Sequence, residues 1–263
     1  MEQAETPELA AKVLSKVHEK HFGVRWSAPN ASHNQPKHEN WFTKLTRKNS
    51  GFTRIETLEG NVGYINFWGF DQVNDASRKR VEAAMALIEN TNASIFDLSS
   101  NGGGDGNMGR LMSSYLFEEP THLNSIYWKA TDSTTEFWTF EKINGKRMAD
   151  TPVCILTSED TFSAAESFAY YLKHLKRATI IGETTKGGAN TWQLFQLDNT
   201  FGVVIPIAKA INPITKSHWE GTGVQSDIKS RRESRLIRLI DYHFNKYNYL
   251  RSILKKSRKS KSN

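Results

Sequence analysis

Ser163 stands where an apolar run, Pro152-Val-Cys-Ile-Leu-Thr157, gives way through a short turn to a segment of helical character, Ser163-Ala-Ala-Glu-Ser-Phe-Ala-Tyr170. The first turn of a helix leaves its backbone N–H groups unpaired at the positive end of the helix dipole. A serine there can present its hydroxyl as a nucleophile, and an oxyanion formed beside it would meet waiting donors. The same residues also spell a helix capping box, Ser163-Ala-Ala-Glu166, which needs no chemistry at all. On the residues alone, both readings stand.

Other segments have the same double character. Asp97-Leu-Ser-Ser-Asn-Gly-Gly-Gly104 puts three glycines after an apolar strand, where backbone N–H groups can approach a ligand closely. It lacks the Gly-Lys-Ser/Thr ending of a phosphate loop, and a plain flexible turn has the same composition. Glu220, in the loop Trp219-Glu-Gly-Thr-Gly-Val224, can orient a histidine or simply face solvent. His18 and His21, three apart, would share one side of a helix. With no Cys or third His at useful spacing, they make a poor zinc site, and no metal or organic cofactor is expected. The single Cys154 allows no intrachain disulfide and reads as a buried strand residue.

The elements that must position these groups are legible from periodicity. Residues 61–67, 93–98, 125–129, 137–140, 153–157, 178–181, 192–197 and 202–207 read as strands. Helices are expected from Asp75, with Val81, Ala84, Met85 and Ile88 on its inner face, from Met108 to Phe117, and from Ser163 to about Leu175. A helix over Thr6 to Lys20 starts with a cap and a first-turn proline, and residues 235–244 are amphipathic. Residues 27–50 are polar and read as a loop. The expected organisation is a helical cap and loop carrying His21 over 1–50, an α/β core over 51–250, and a basic disordered tail over 251–263.

At 263 residues and 38% hydrophobic content, the chain can bury a substantial core. No apolar run approaches the roughly 20 residues of a membrane helix. The opening residues have neither the basic flank nor the apolar stretch of a signal peptide, and the compartment is left open. Of a net charge of +7, six cationic side chains fall in residues 251–263 with no acid, so the remainder is nearly neutral. That tail reads as a solubilising end and not as a nucleic-acid arm.

Taken in order, Asp97-Leu…Asn101-Gly-Gly-Gly104, Thr161-Phe-Ser-Ala-Ala-Glu166, Gly182-Glu-Thr-Thr185 and Trp219-Glu-Gly-Thr-Gly-Val224 resemble the tail-specific, or C-terminal processing, serine proteases. They are most similar to the branch without a PDZ domain, which includes the interphotoreceptor retinoid-binding protein modules and is related to the tricorn core. The resemblance implies a crotonase/ClpP-like fold of stacked β-β-α units. It implies Ser163 as nucleophile, His21 as base and Glu220 as its supporting acid, with Gly103 and Ala164 as oxyanion donors. Gly102, Gly104 and Lys186 would contact substrate, as a peptide or unfolded chain end, and a homo-oligomer is allowed. Glu19-Lys-His21 replaces the family's Asp-x-His, and Gly188 stands where the Ser-Lys branch has its lysine, which favours Ser-His-Glu. The competing implication is a non-catalytic module binding apolar ligands or peptides, with Phe22, Trp26, Trp68, Trp192 and Trp219 as candidate lining.

Overall fold

The computed structural model describes residues 19–26 and 39–230. In chain order its strands are β1 (Gly23–Trp26), β2 (Phe52–Leu58), β3 (Val62–Phe67), β4 (Ala93–Asp97), β5 (His122–Trp128), β6 (Ser133–Trp138), β7 (Val153–Thr157), β8 (Ala178–Gly182), β9 (Thr191–Gln196), β10 (Phe201–Ile211) and β11 (Ile228–Lys229). The α-helices are α1 (Trp41–Arg47), α2 (Asp75–Ile88), α3 (Gly106–Ser113) and α4 (Ala164–His174).

The apolar runs without alternation become the inner strands of a six-stranded sheet ordered β11-β8-β7-β4-β3-β2. All neighbours in it are parallel except the β2–β3 hairpin. Every residue of β7 is buried, as expected of a parallel strand covered on both faces. One face carries the main core. Phe67 and Phe96 meet Val81, Met85 and Ile88 of α2, Met108, Leu111 and Met112 of α3, and Phe168 and Leu172 of α4. A smaller cluster on Val62, Tyr64, Ile95, Leu156 and Ile181 holds Cys154. The second sheet is antiparallel, ordered β1-β10-β5-β6, with β9 also paired to β10.

The helix expected from Asp75 forms with the anticipated buried face, and Asn74 caps it through the Ala76 and Ser77 N–H groups. Residues 27–50 are not wholly loop. Asn40 accepts from the Thr43 N–H at 2.8 Å and starts α1, whose Leu45 is fully buried. The long polar approach hides this helix of about two turns, because a single buried leucine sets no period. Nor is the segment before residue 51 only a cap, since β1 pairs with β10 residue by residue. The expected helices over 6–20 and 235–244 and the tail over 251–263 lie outside the described residues. Among the described residues, no helix is long and apolar enough to cross a membrane.

Because β4 and β7 are parallel neighbours, the glycine run after β4 and the Ser163 turn after β7 emerge at the same sheet end. Phe168 anchors the helix behind that turn, with its ring against Phe70, Phe96 and Tyr171. Phe168→Ala is expected to cost about 3–5 kcal/mol of stability. Urea denaturation followed by circular dichroism checks this, and a loss under about 1 kcal/mol would contradict the packing described.

Candidate active site

Ser163 has φ 55° and ψ −118°, a conformation that L-residues adopt only under constraint. Such backbone strain costs on the order of 1–3 kcal/mol and persists where the surroundings over-determine it. Here they do. The Ser163 N–H donates to Glu166 Oε2 at 2.8 Å. The Phe162 N–H donates to Asn101 O at 3.0 Å, and the Thr161 hydroxyl donates to Leu98 O at 2.8 Å. The turn after β7 is therefore stitched to the loop after β4.

Glu166 does more than complete a helix cap. Its side chain is fully buried, and it also accepts from the Thr185 hydroxyl and the Gly187 N–H through Oε1, and from the Gly188 N–H through Oε2. Burial pushes its carboxyl above the usual range, against the opposing pull of these four hydrogen bonds. One carboxyl thus joins the Ser163 turn to the loop after β8. The capping pattern was visible in the sequence; the partners at 185–188 were not, since nothing local indicates them.

Asn101, also fully buried, donates from Nδ2 to Phe67 O and accepts the Gly103 N–H at 2.9 Å through Oδ1. The Gly103 N–H, expected as an oxyanion donor, is thus committed to Asn101 in this structure. Gly103 is needed for another reason. With φ 87°, a Cβ there would lie 2.8 Å from Ser163 Cβ and 2.9 Å from the Ala164 N. Among the described residues, the N–H groups of Gly104 and Ala164 make no hydrogen bond. Gly102, Gly104 and Ser163 line one cleft, of about 1170 Å³, together with His21, Arg25, Trp41 and Trp192.

His21 meets Ser163 across the gap, with Nε2 3.2 Å from Oγ. Its ring is stacked on Phe162 at 4.7 Å between centroids. Nδ1 is buried and makes no hydrogen bond. The nearest carboxylate to it is that of Glu19, 3.9 Å away, which also accepts the His21 backbone N–H at 3.1 Å. Glu19 Oε2 is in turn held by the Asn190 side-chain amide at 2.7 Å. Burial lowers the His21 pKa, and the Glu19 charge raises it by less.

Glu220 reaches the same cluster without a hydrogen bond to His21. Its Oε1 accepts the Lys20 N–H at 3.1 Å, and its Oε2 accepts those of Ala189 and Asn190 at 2.6 and 3.2 Å. It braces the segment before His21 against the 189–190 loop, which departs from the expectation of a direct contact with the ring. The sequence reading assigns support of His21 to Glu220 and not to Glu19, although the Glu19-Lys-His21 spacing was the available signal.

Lys186 is exposed, sits over the outer face of Phe162 at 5.2 Å and does not line the cleft. A side chain at Gly188 would meet Phe162 at 2.2 Å and His21 Cε1 at 2.8 Å, so the histidine and phenylalanine fill the place a lysine would need. Of the aromatics considered as lining, Trp192 borders the cleft. Trp219 is buried, donating from Nε1 to Gly188 O at 3.0 Å.

A sequence profile described as Peptidase family S41 matches residues 61–230. The chain belongs to this family. The match includes Ser163 and Glu220 but starts after Glu19 and His21. A carboxyl-terminal-processing protease of Synechocystis sp. is 31% identical over 155 residues, 58% of this chain and 34% of that protein. The carboxy-terminal processing protease CtpA of Bacillus subtilis is 26% identical over 156 residues, 59% of this chain and 32% of that one. The chain thus spans about a third of the length of these relatives. Among solved structures, a lipoprotein from Streptococcus agalactiae superposes with a TM-score of 0.61 at 15% identity, covering 86% of this chain and 77% of that one. The photosystem II D1 C-terminal processing protease gives 0.54 at 21% identity, covering 68% and 47%. At these identities the likeness speaks for the α/β fold.

Glu166→Gln keeps the shape but exchanges two acceptor oxygens for one, and turns an amide N–H₂ toward backbone donors. Leaving buried donors unpaired costs about 1–3 kcal/mol each. A loss of at least about 2 kcal/mol in urea denaturation is expected, together with a fall in any Ser163-dependent activity. A variant of parental stability would contradict the bracing role.

Proposed function

We propose that this chain is a serine peptidase in which Ser163 is the nucleophile and His21 the general base. The observation that carries this reading is the Ser163 hydroxyl on a strained turn, 3.2 Å from His21 Nε2, in a cleft that Gly104 also lines. In the first step Nε2 takes the hydroxyl proton as Oγ attacks the carbonyl carbon of a peptide bond. The negative oxygen of the tetrahedral intermediate is received by the N–H groups of Ala164 and Gly104. The imidazolium then returns the proton to the leaving amine, and the acyl group stays on Ser163. Water, deprotonated by the same Nε2, releases the acid and restores the hydroxyl. Glu19, nearest to Nδ1, and Glu220 behind it favour the imidazolium that forms in each half.

The substrate class is a peptide or an unfolded chain end, in keeping with the cleft beside Ser163 and with the similarity to carboxyl-terminal-processing proteases. Arg25, which lines that cleft, is a candidate partner for a substrate carboxylate. The arrangement of β3, β4, β7 and β8 with α2 to α4 against one face supports a core of the crotonase/ClpP type.

Ser163→Ala and His21→Ala are each expected to lower kcat on an unstructured peptide by at least about a thousandfold. Lys186→Ala keeps most activity. An inactive Lys186→Ala beside an active His21→Ala would overturn the assignment of the base.

Only a neutral imidazole accepts the Ser163 proton, so activity is lost as pH falls through the His21 pKa. Burial lowers that pKa, so the midpoint of kcat/KM in chelator-treated buffer is expected below about 6.5. Glu19→Gln removes a charge that raises it, and the midpoint moves lower still. A midpoint above about 7, or one that Glu19→Gln shifts upward, would contradict this electrostatic account.

A further inference from the structure

We propose that Glu19, His21 Nδ1 and Glu220 form a binding site for a divalent transition-metal ion of the zinc class, and that its occupation reversibly switches off the Ser163–His21 pair. The second half rests on the peptidase reading; the site itself does not.

One ligand atom from each of the three residues lies within 4.8 Å of the others. Carboxylates close together are no site by themselves. What distinguishes this cluster is the imidazole nitrogen between them. The His21 side chain is only 4% exposed, and Nδ1 is a buried polar atom without a hydrogen bond, 3.9 Å from Glu19 Oε1. A buried polar atom left unpaired is costly, and a metal ion would satisfy it.

The ligand set suits zinc. Imidazole nitrogen with two carboxylate oxygens is a borderline donor set, unlike the all-oxygen shells of calcium and magnesium. Tetrahedral zinc with bonds near 2.1 Å places its ligand atoms about 3.4 Å apart, so the three groups would need to close by roughly 1 Å. Two carboxylates balance the charge of the ion. Each keeps lone pairs for it, since Glu19 Oε1 and Glu220 Oε1 each accept one backbone N–H. The carboxylates are also held from behind, Glu19 by the Asn190 amide and Glu220 by the N–H groups of Ala189 and Asn190. Outer partners of this kind orient ligands in metal sites.

The consequence for chemistry follows from proton count. A neutral imidazole carries one ring proton. With the metal on Nδ1, that proton resides on Nε2, facing Ser163 Oγ. Nε2 then donates to the hydroxyl and can no longer accept its proton, so nucleophile activation stops until the ion leaves. No bond is made or broken in the protein, and chelation restores the free ring.

The test uses the full, untagged chain. Zinc chloride is titrated into Ser163→Ala by isothermal titration calorimetry, so binding is read without activity. One zinc per chain is expected, with affinity reduced at least about tenfold by adding Glu19→Gln or Glu220→Gln and more by His21→Ala. Circular dichroism checks that each variant folds. In the parent chain, zinc is expected to stop peptide hydrolysis and EDTA to restore it, while calcium and magnesium do neither. Absence of zinc binding by Ser163→Ala, or binding that His21→Ala and both glutamine variants leave unchanged, would overturn the site. Site-dependent zinc binding by a chain that hydrolyses no peptide under any condition would uphold the metal site and overturn the peptidase reading.

Discussion

The buried carboxyl of Glu166 receives hydrogen bonds from four directions, and the geometry around Ser163 depends on it. It holds the Ser163 N–H, which fixes the positive φ of the turn, and it holds Thr185, Gly187 and Gly188, which fixes the neighbouring loop. With that loop in place, the lack of a side chain at Gly188 leaves a slot that the Phe162 and His21 rings occupy. The distance from His21 to Ser163 is therefore a downstream consequence of one polar group buried far from solvent. A fully satisfied buried group of this kind rigidifies its surroundings, whereas a partly satisfied one would destabilise them.

The surroundings of His21 set two effects against each other. Burial favours the neutral ring that can accept a proton, while the Glu19 charge favours the imidazolium formed after acceptance. Burial is the larger effect in the resting site. In the proposed mechanism this would keep His21 ready to accept a proton near neutral pH, and the carboxylates would matter most once the ring is charged. The same open Nδ1 is the atom on which the proposed zinc site rests.

Much of the scaffold was legible in the sequence because its signals are local. The face of α2 formed by Val81, Ala84, Met85 and Ile88 follows from helical spacing, and the unbroken run of β7 follows from burial on both sides. The candidate site was legible in its parts and less so in its wiring. Gly103 and Gly104 look alike as letters. Only the placement of Asn101 Oδ1 on the Gly103 N–H separates a structural glycine from one with a free donor. Glu220 and Glu19 both lie near His21, and which one faces Nδ1 depends on contacts across 200 residues, such as Lys20 N–H to Glu220 Oε1. α1 and β1 were missed for a related reason. Each is short, and each is stabilised by distant partners, with β1 paired to β10 and Leu45 packed beneath Gly51 and Gly69.

The central claim is that Ser163 is a nucleophile activated by His21, and chemical labelling addresses it without assuming any substrate. The folded chain is incubated with a fluorophosphonate probe and its intact mass is measured, followed by peptide mapping, for the parent and for His21→Ala. A single adduct on Ser163, formed many times more slowly in His21→Ala, is the predicted result. A folded parent chain that takes up no probe, or labels at the same rate without His21, would contradict the account.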